Sequence, residues 1–390
     1  MSLPLPGPGP GPAAASATDV RRALSLPKVL LHEHLDGGLR VATLLDLLHQ
    51  RGIAPPAPDA AALAAWFDAR AHAGSLEDYL RGFALTVAAM ATPGALERVA
   101  LEAAEDAHAQ GCVLAEFRIA PLLFEPHGVA PDAAVAALLR GLARGPLPSG
   151  LIVCALRHAS DAQIQRAADL AQRWFEQPAS ADPARVLGFD LAGPEAGWPA
   201  TRHAALLARL RQAGLGLTLH AGEADAGLRV LEAVRLGAQR IGHGVRLADL
   251  LSGPAAPAIL AELQQHQVHL EVCPTSNVHT GAAASLALHP IHALWRAGVS
   301  LSFHTDNQLM SRIDPSREAL GLVQAGLGWA DLVQMGDLAA QASFLPVADR
   351  QAARARLSAW AQAEGLVPLP HRMPHGMPHG MLHQRRPASP

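Results

Sequence analysis

Short, mainly apolar runs alternate along the chain with longer stretches whose apolar residues recur at helical spacing. Eight of the short runs predict β-strands, at residues 28–34, 112–118, 151–157, 186–193, 216–220, 240–244, 268–273 and 299–306. Most are apolar throughout, which is typical of strands buried on both faces, and every connection is long enough for a crossover helix. Eight such units predict a (β/α)8 TIM barrel, although a doubly wound α/β sheet shows the same alternation.

The connection after the first predicted strand is too long for a single crossover helix. Residues 39–110 contain four helical patterns, at 41–50, 59–70, 76–90 and 94–110. We therefore expect a helical insertion after strand 1 that caps the C-terminal face of the barrel. Residues 21–368 are expected to form one (β/α)8 domain, between a disordered Pro/Gly/Ala-rich tail at 1–20 and a disordered His/Pro/Gly-rich tail at 369–390.

Composition and charge narrow the class of protein. Half of the 390 residues are hydrophobic and the formal net charge is -3, which argues against a nucleic-acid-binding surface or a polybasic membrane patch. Because no apolar run reaches transmembrane length and no secretory signal begins the chain, we expect a cytoplasmic protein. The three cysteines lie far apart in apolar runs and are expected to be buried free thiols. The sequence gives no indication of oligomeric state.

Polar residues interrupt the predicted strands at their C-terminal ends. His32 and His34 end the first strand, His220 ends the fifth, His243 closes the sixth and Asp306 closes the eighth. In a barrel the C-terminal ends of all strands open on one face, where active sites lie. Separate stretches of sequence therefore converge on one cavity.

The spacing of these residues is suited to metal binding. His32 and His34 are two apart on a strand, so both point into the barrel while Glu33 points outward. With His220 and Asp306 they make a set of three nitrogens and one oxygen that suits Zn²⁺. An isolated His-x-His pair is more often hydrogen-bonded inside a core, but this pair converges with other strand-end residues, and we predict a zinc site.

The distribution of lysine limits the number of metal ions. Many hydrolytic barrels hold two metals through a carbamylated lysine from the middle of the sheet. The fourth predicted strand contains no lysine, and Lys28, the only lysine in the chain, lies at the opposite end of strand 1. The sequence therefore predicts one metal ion per chain.

Two residues beside the predicted ligands are placed to assist hydrolysis, for example at a purine-like ring. Zinc with an open coordination position lowers the pKa of bound water to about 7. Displacing an amine from such a ring also needs a proton donor to a ring nitrogen. Glu223, three residues past His220, is placed for this if its carboxyl is kept protonated. His243 can hold or deprotonate the water from the other side.

Seven motifs carry a resemblance to a known family. In chain order they are PKVLLHEHLDG (27–37), EFR (116–118), GFDLAGPE (188–195), LHAGE (219–223), RIGHG (240–244), CPTSN (273–277) and HTDN (304–307). In type and spacing they resemble the adenosine deaminase family over most of the chain between the tails. The resemblance implies a (β/α)8 barrel with one zinc ion, held by His32, His34, His220 and Asp306.

The same resemblance implies roles around a substrate. Glu223 would protonate purine N1, and His243 would orient the zinc-bound water. The backbone N–H of Gly193 would reach purine N3, an approach that requires the absence of a side chain. Asp36 would accept a hydrogen bond from the ribose 5′-hydroxyl. Asn307 would contact purine N7 where animal relatives have a second aspartate.

A stripe of four apolar residues in the predicted insertion resembles the hydrophobic gate of that family. Its members, at i, i+3, i+4 and i+7, are Leu76, Tyr79, Leu80 and Phe83. Ordinary helix packing produces the same stripe, so the sequence leaves both interpretations open.

Four further polar residues within the strands are expected to support the barrel rather than to react. Glu116 and Arg118, two apart on strand 2, are expected to form a buried pair. Asp190 on strand 4 is expected to hydrogen-bond behind the site. His304, one layer deeper than the predicted ligands, is expected to have a core or supporting role.

Together these features predict a zinc-dependent aminohydrolase acting on a small-molecule purine nucleoside. The expected reaction converts adenosine, and 2′-deoxyadenosine, to inosine and ammonia by attack of zinc-activated hydroxide at purine C6. Relatives that prefer adenine often have glutamate at the position of Asp36, so the aspartate favours a nucleoside. Two alternatives stay open: deamination of adenine, a methylated adenosine or a futalosine-type nucleoside, and a non-catalytic binding protein on the same fold.

Overall fold

The computed structural model describes residues 15–71, 76–177 and 184–366, and only the backbone of residues 76–81. Eight strands occur in this part of the chain. They are β1 Lys28–His34, β2 Cys112–Ile119, β3 Ser149–Leu156, β4 Val186–Ala192, β5 Gly216–Ala221, β6 Arg240–His243, β7 His269–Val272 and β8 Leu301–Phe303. Their side chains are almost all buried, as the continuous apolar runs predicted.

The eight strands form one parallel sheet in which each strand pairs with the next along the chain, from β1 to β8. Backbone hydrogen bonds close the ring between β1 and the segment after β8. The His34 N–H donates to the Asp306 carbonyl at 2.7 Å, and the Asp306 N–H donates to the His32 carbonyl at 3.0 Å. The predicted (β/α)8 barrel is therefore confirmed, and the doubly wound sheet is excluded.

Helices connect the strands and cover the barrel. In chain order they are α1 Ala17–Ser25, α2 Val41–Gln50, α3 Ala60–Ala71, α4 Leu76–Met90, α5 Pro93–Ala109, α6 Pro131–Ala143, α7 Asp161–Phe175, α8 Ala204–Gln212, α9 Leu228–Arg235, α10 Leu247–Leu251, α11 Ala256–Gln265, α12 Pro274–His279, α13 Ile291–Arg296, α14 Gln308–Ser311, α15 Pro315–Gln324, α16 Trp329–Ala342 and α17 Val347–Ala363. Local sequence signals explain where several helices begin. For example, the Thr92 side chain caps the N-terminus of α5, and a proline follows it.

The boundaries of two elements, α1 and β8, differ from expectation. Helix α1 begins at Ala17, inside the tail expected at 1–20, because the Ser16 side chain accepts the Asp19 N–H and caps the first turn. Strand β8 covers Leu301–Phe303 rather than 299–306. The regular strand ends at Phe303, and the backbone adopts a left-handed conformation at Asp306, with φ of 62°. The tail expected at 369–390 lies outside the described residues.

The insertion after β1 lies on the C-terminal face of the barrel. Helix α3 packs against α14, which directly follows β8. In α4, the Thr86 hydroxyl donates a hydrogen bond of 2.6 Å to the carbonyl of Asp36, just beyond β1. The predicted helical cap is thus confirmed, with α5 providing the return to β2.

Charged side chains fill the lower layers of the barrel interior. Glu116 pairs with Arg240 at 2.7 Å and also accepts hydrogen bonds from the Ser343 hydroxyl and the Phe344 N–H, both at 2.6 Å. Arg118 instead pairs with carboxylates from other strands. The expected Glu116–Arg118 pair was wrong, because residues two apart on a strand lie about 7 Å apart along it and occupy different layers.

Two general expectations concern the cysteines and the membrane. Cys112, Cys154 and Cys273 are buried and form no disulfide, as predicted. Among the described residues, none of the helices has both the length and the apolar character needed to cross a membrane.

Candidate metal centre

Histidines and one aspartate meet at the C-terminal end of the barrel. Asp306 Oδ1 lies 3.3 Å from His32 Nε2 and 3.5 Å from His34 Nε2. The His220 ring lies against both, with ring centroids 4.7 Å from that of His32 and 5.4 Å from that of His34. A ligand atom of His243 also falls within 4.8 Å of those of His32, His220 and Asp306. The strand ends therefore bring the sequence-predicted residues together.

The hydrogen bonds of two histidines leave nitrogen atoms pointing to the centre of this cluster. His32 Nδ1 contacts Glu271 at 2.9 Å, and His220 Nδ1 contacts Asp190 at 2.9 Å. A carboxylate partner holds the proton on Nδ1, so Nε2 keeps its lone pair for a metal. His32 Nε2 is buried and makes no hydrogen bond among the described residues, although Asp306 Oδ1 lies 3.3 Å away. Imidazole nitrogens with one carboxylate oxygen suit a transition-metal ion.

The guanidinium of Arg118 links the two supporting carboxylates. It donates to Asp190 at 2.8 Å and to Glu271 at 2.6 Å, and all three side chains are fully buried. Arg240 contacts the other oxygen of Glu271 at 2.7 Å. Burial alone would raise the pKa of Glu271, but Arg118 and Arg240 hold that pKa well below its ordinary value. Burial would also raise the pKa of Asp190, but His220 and Arg118 lower it, so both carboxylates are charged acceptors for the histidine N–H groups.

Glu271 is a functional residue that the sequence analysis missed. It stands in β7, whose sequence is HLEV, and it is fully buried between apolar neighbours. A carboxylate inside an apolar strand is expensive to bury without partners, and this was the signal available. Asp190, by contrast, lies behind His220 as expected, and His304 has a supporting role, accepting the Leu31 N–H at 3.1 Å.

Two site residues have strained backbone conformations. His243 and Asp306 have φ of 61° and 62°, in the left-handed region that residues with a side chain rarely occupy. Neighbouring side chains hold them there. The Ser276 hydroxyl donates to Asp306 Oδ2 at 2.6 Å, and the Asn277 amide contacts His243 Nδ1 at 3.1 Å. The CPTSN motif, to which the sequence analysis gave no role, thus contacts both strained residues.

Glu223 lies beside this cluster, in the loop after β5. Its Oε1 accepts a hydrogen bond from the Thr280 hydroxyl at 3.1 Å, and its Oε2 lies 3.5 Å from His243 Nε2. Withdrawal from water raises the pKa of Glu223 to about 7, and the negative charge of Asp306 acts in the same direction. This carboxyl can therefore carry a proton at neutral pH.

The loop that carries Glu223 is anchored by Glu195, a second residue that the sequence analysis missed. The buried carboxylate of Glu195 accepts four consecutive backbone N–H groups, from Gly222 at 2.5 Å, from Glu223 and Ala224 at 3.1 Å, and from Asp225 at 3.0 Å. Four charge-assisted hydrogen bonds to one side chain fix the course of the backbone. The only indication of a role for Glu195 in the sequence was its place at the end of the GFDLAGPE motif.

Three predicted substrate contacts line the same end of the barrel. Asp36 is buried, and its Oδ1 has no hydrogen-bond partner among the described residues. Burial raises the pKa of Asp36 to about 7. Gly193 follows β4 with φ of 90°, a conformation that favours glycine. Asn307 packs on Gly37 so closely that a Cβ atom at residue 37 would lie 1.9 Å from its Oδ1.

Two further expectations meet the structure only in part. Phe83 is half-buried and packs on the core, whereas Leu76, Tyr79 and Leu80 belong to the segment whose side chains lie outside the described residues. The hydrophobic gate therefore stays a prediction. Glu33 points away from the barrel axis as expected but is buried, accepting the Gln308 N–H at 3.0 Å and a hydrogen bond from the Thr305 hydroxyl.

Comparison with known proteins identifies relatives of this chain. Residues 27–360 match the family model described as adenosine deaminase. An adenosine deaminase from Mycobacterium avium (strain 104) is 44% identical over 347 residues, which cover 84% of this chain and 92% of that protein.

Solved structures with the same fold are more distant in sequence. An adenine deaminase from Arthrobacter aurescens has a TM-score of 0.76 at 24% identity, covering 86% of this chain and 99% of that one. An amidohydrolase from Burkholderia ambifaria, with bound Zn, has a TM-score of 0.76 at 23% identity, covering 90% and 96%. At these identities the likeness concerns the fold alone.

Replacing Glu195 tests whether its carboxylate anchors the 222–225 loop. In Glu195→Gln an amide NH₂ group faces backbone N–H groups, so we expect a loss of about 2 kcal/mol in the free energy of unfolding. For a domain of this size that lowers Tm by roughly 3 °C. Hydrogen exchange should also accelerate at the amides of residues 222–225.

Asp314→Asn provides a matched control, because the Asp314 side chain accepts the N–H groups of Ser316 and Arg317 at the start of α15. One amide oxygen can accept both of these N–H groups, so this variant should keep its stability and show no faster exchange at residues 222–225. Unchanged protection of those four amides in Glu195→Gln would contradict the anchoring role.

Proposed function

This chain belongs to the adenosine deaminase family, and from that premise we infer that it hydrolyses adenosine to inosine and ammonia. The observation that carries the inference is the position of Glu223, a carboxyl with a raised pKa beside a cluster of metal-ligand residues. Deamination of a 6-aminopurine needs both a water nucleophile and a proton donor to the ring. We expect 2′-deoxyadenosine to be accepted as well, and the reaction to take place in the cytoplasm.

We propose that one Zn²⁺ ion per chain is held by His32, His34, His220 and Asp306. Bound there, zinc supplies a water molecule whose pKa lies near 7. The donor set and the unpartnered Nε2 of His32 support this ion. The Zn-containing amidohydrolase from Burkholderia ambifaria shares the fold.

Glu223 is proposed to be the general acid that protonates purine N1. A ring nitrogen that gains a proton withdraws electrons from C6, and this makes C6 a better target for water. The Thr280 hydroxyl donates to Oε1 of Glu223, so the carboxyl proton is carried by Oε2. Oε2 is the oxygen that lies near His243, and His243 faces the proposed reaction centre. A pKa of about 7 gives Glu223 a large protonated fraction at neutral pH.

Three residues are proposed to position the nucleoside. The Gly193 N–H would donate to purine N3, since no side chain blocks the approach. The Asn307 amide would donate to purine N7. Asp36 would accept a hydrogen bond from the 5′-hydroxyl through its unpartnered Oδ1. The apolar stripe of α4 is proposed to close the cavity above them as a gate.

Glu223→Gln tests the proposed general acid. An amide cannot supply the proton, so the turnover number for adenosine should fall by about 10²- to 10⁴-fold. Zinc should stay bound at one equivalent, because Glu223 is not a proposed ligand, and KM should change much less than kcat. Zinc content and turnover are measured on the same preparation. If the variant is fully loaded with zinc and its turnover number is within about tenfold of the wild-type value, Glu223 is not the general acid.

Asp36→Ala tests the proposed recognition of the ribose. Loss of a hydrogen bond to this carboxylate should lower kcat/KM for adenosine by roughly ten- to a hundredfold. The value for 5′-deoxyadenosine, which lacks the hydroxyl, should change little. Equal losses on the two substrates would show that Asp36 acts in some other way.

A further inference from the structure

A chain of three hydrogen bonds leads from a backbone amide to His243. The Ile291 N–H lies 3.0 Å from His289 Nδ1. His289 Nε2 lies 3.3 Å from Asn277 Oδ1, and Asn277 Nδ2 lies 3.1 Å from His243 Nδ1. His289, Asn277 and His243 are all buried, so water does not compete for these bonds.

The donor and the acceptor of each of these hydrogen bonds follow from the backbone N–H of Ile291. A backbone N–H can only donate, so His289 Nδ1 accepts. Burial lowers the pKa of His289 to about 3, and the neutral ring therefore carries its proton on Nε2, which donates to Asn277. Asn277 must then face that proton with its oxygen and turn its NH₂ group to His243. The orientation of the Asn277 amide and the tautomer of His289 are thus both fixed by their hydrogen-bond partners.

The tautomer of His243 follows in turn. An NH₂ group offers only donors, so His243 Nδ1 accepts and the neutral ring carries its proton on Nε2. We propose that His289 and Asn277 are positioning residues that fix His243 as an Nε2–H donor towards the reaction centre. The inference rests on the proposed function, to which it adds how His243 is oriented and how it acts.

One consequence concerns the metal ligands. By distance alone, His243 belongs to the compact group with His32, His220 and Asp306. A protonated Nε2 has no lone pair for a metal ion, so His243 is not a ligand. His34 Nε2, 3.5 Å from Asp306 Oδ1, is then the third nitrogen donor.

A second consequence concerns the role of His243 in the reaction. Its Nε2–H donates a hydrogen bond to the oxygen that approaches purine C6, and this nitrogen cannot accept a proton in the resting enzyme. Of the two roles that the sequence left open for His243, holding the water is retained and deprotonating it is excluded.

The test reads the tautomer directly in the zinc-loaded full-length chain. Histidine ring nitrogens labelled with ¹⁵N are observed by NMR, and the His243 signals are assigned by their loss in His243→Gln. We expect a protonated Nε2 and an unprotonated Nδ1. In Asn277→Asp the carboxylate can only accept from His243, so the tautomer should invert. His292 lies beside His289, but its ring contacts the Leu286 carbonyl and takes no part in the three hydrogen bonds. His292→Gln should therefore leave the tautomer of His243 unchanged.

Turnover and metal content give independent readouts of the same proposal. Holding a catalytic histidine in the wrong tautomer costs up to about 10⁴-fold in turnover, and we expect Asn277→Asp to lose at least tenfold in kcat with a smaller change in KM. His34→Ala should lose bound zinc, whereas His243→Ala should keep one equivalent.

An Nδ1-protonated His243 in the native chain, or zinc lost from His243→Ala and kept by His34→Ala, would overturn the inference. The native spectrum decides the question even if Asn277→Asp fails to fold. Because the tautomer is read without substrate, failure to deaminate adenosine would count against the proposed function and not against this inference.

Discussion

The buried guanidinium of Arg118 is the interaction on which the metal centre depends. It contacts Asp190 and Glu271 at once, and these carboxylates hold the Nδ1 atoms of His220 and His32. Two charged hydrogen bonds from one planar group fix both carboxylates, and the carboxylates fix the plane and tautomer of each ring. Without Arg118, Asp190 would lose its arginine contact and Glu271 would keep only Arg240. Leaving a buried charge unpaired typically costs about 3–5 kcal/mol.

Carboxylates outnumber arginines among the buried side chains around the histidines. The arginines are Arg118, Arg157 and Arg240, and the carboxylates are Glu116, Asp190, Glu271 and Asp306. Asp306 contacts histidines and the Ser276 hydroxyl rather than an arginine. Buried charges are stable only when they are paired. A metal cation held at the histidines would add positive charge beside Asp306, so we expect ion binding to stabilise the barrel.

Much of the fold and of the candidate site could be predicted from the sequence. Strand β1 and helices α2 and α4 have the predicted bounds, because continuous apolar runs and helical spacing report burial directly. The convergence of His32, His220 and Asp306 follows from barrel topology, since every strand ends at the same face. These features depend on local pattern and on a rule about parallel strands.

The missed features depend on partners that are distant in the sequence. Glu195 and Glu271 look like ordinary acids until the fold brings four backbone N–H groups to one and two arginines to the other. The error in pairing Glu116 with Arg118 has the same origin, because a strand pattern gives the face of a residue but not its partner across the barrel.

The most direct test of this account is a zinc titration of the metal-free chain, followed by the absorbance change that accompanies conversion of adenosine to inosine. We expect no turnover without metal, and turnover that rises with added zinc to a plateau at one equivalent per chain. Absence of turnover at full zinc occupancy, or equal turnover by the metal-free chain, would contradict it.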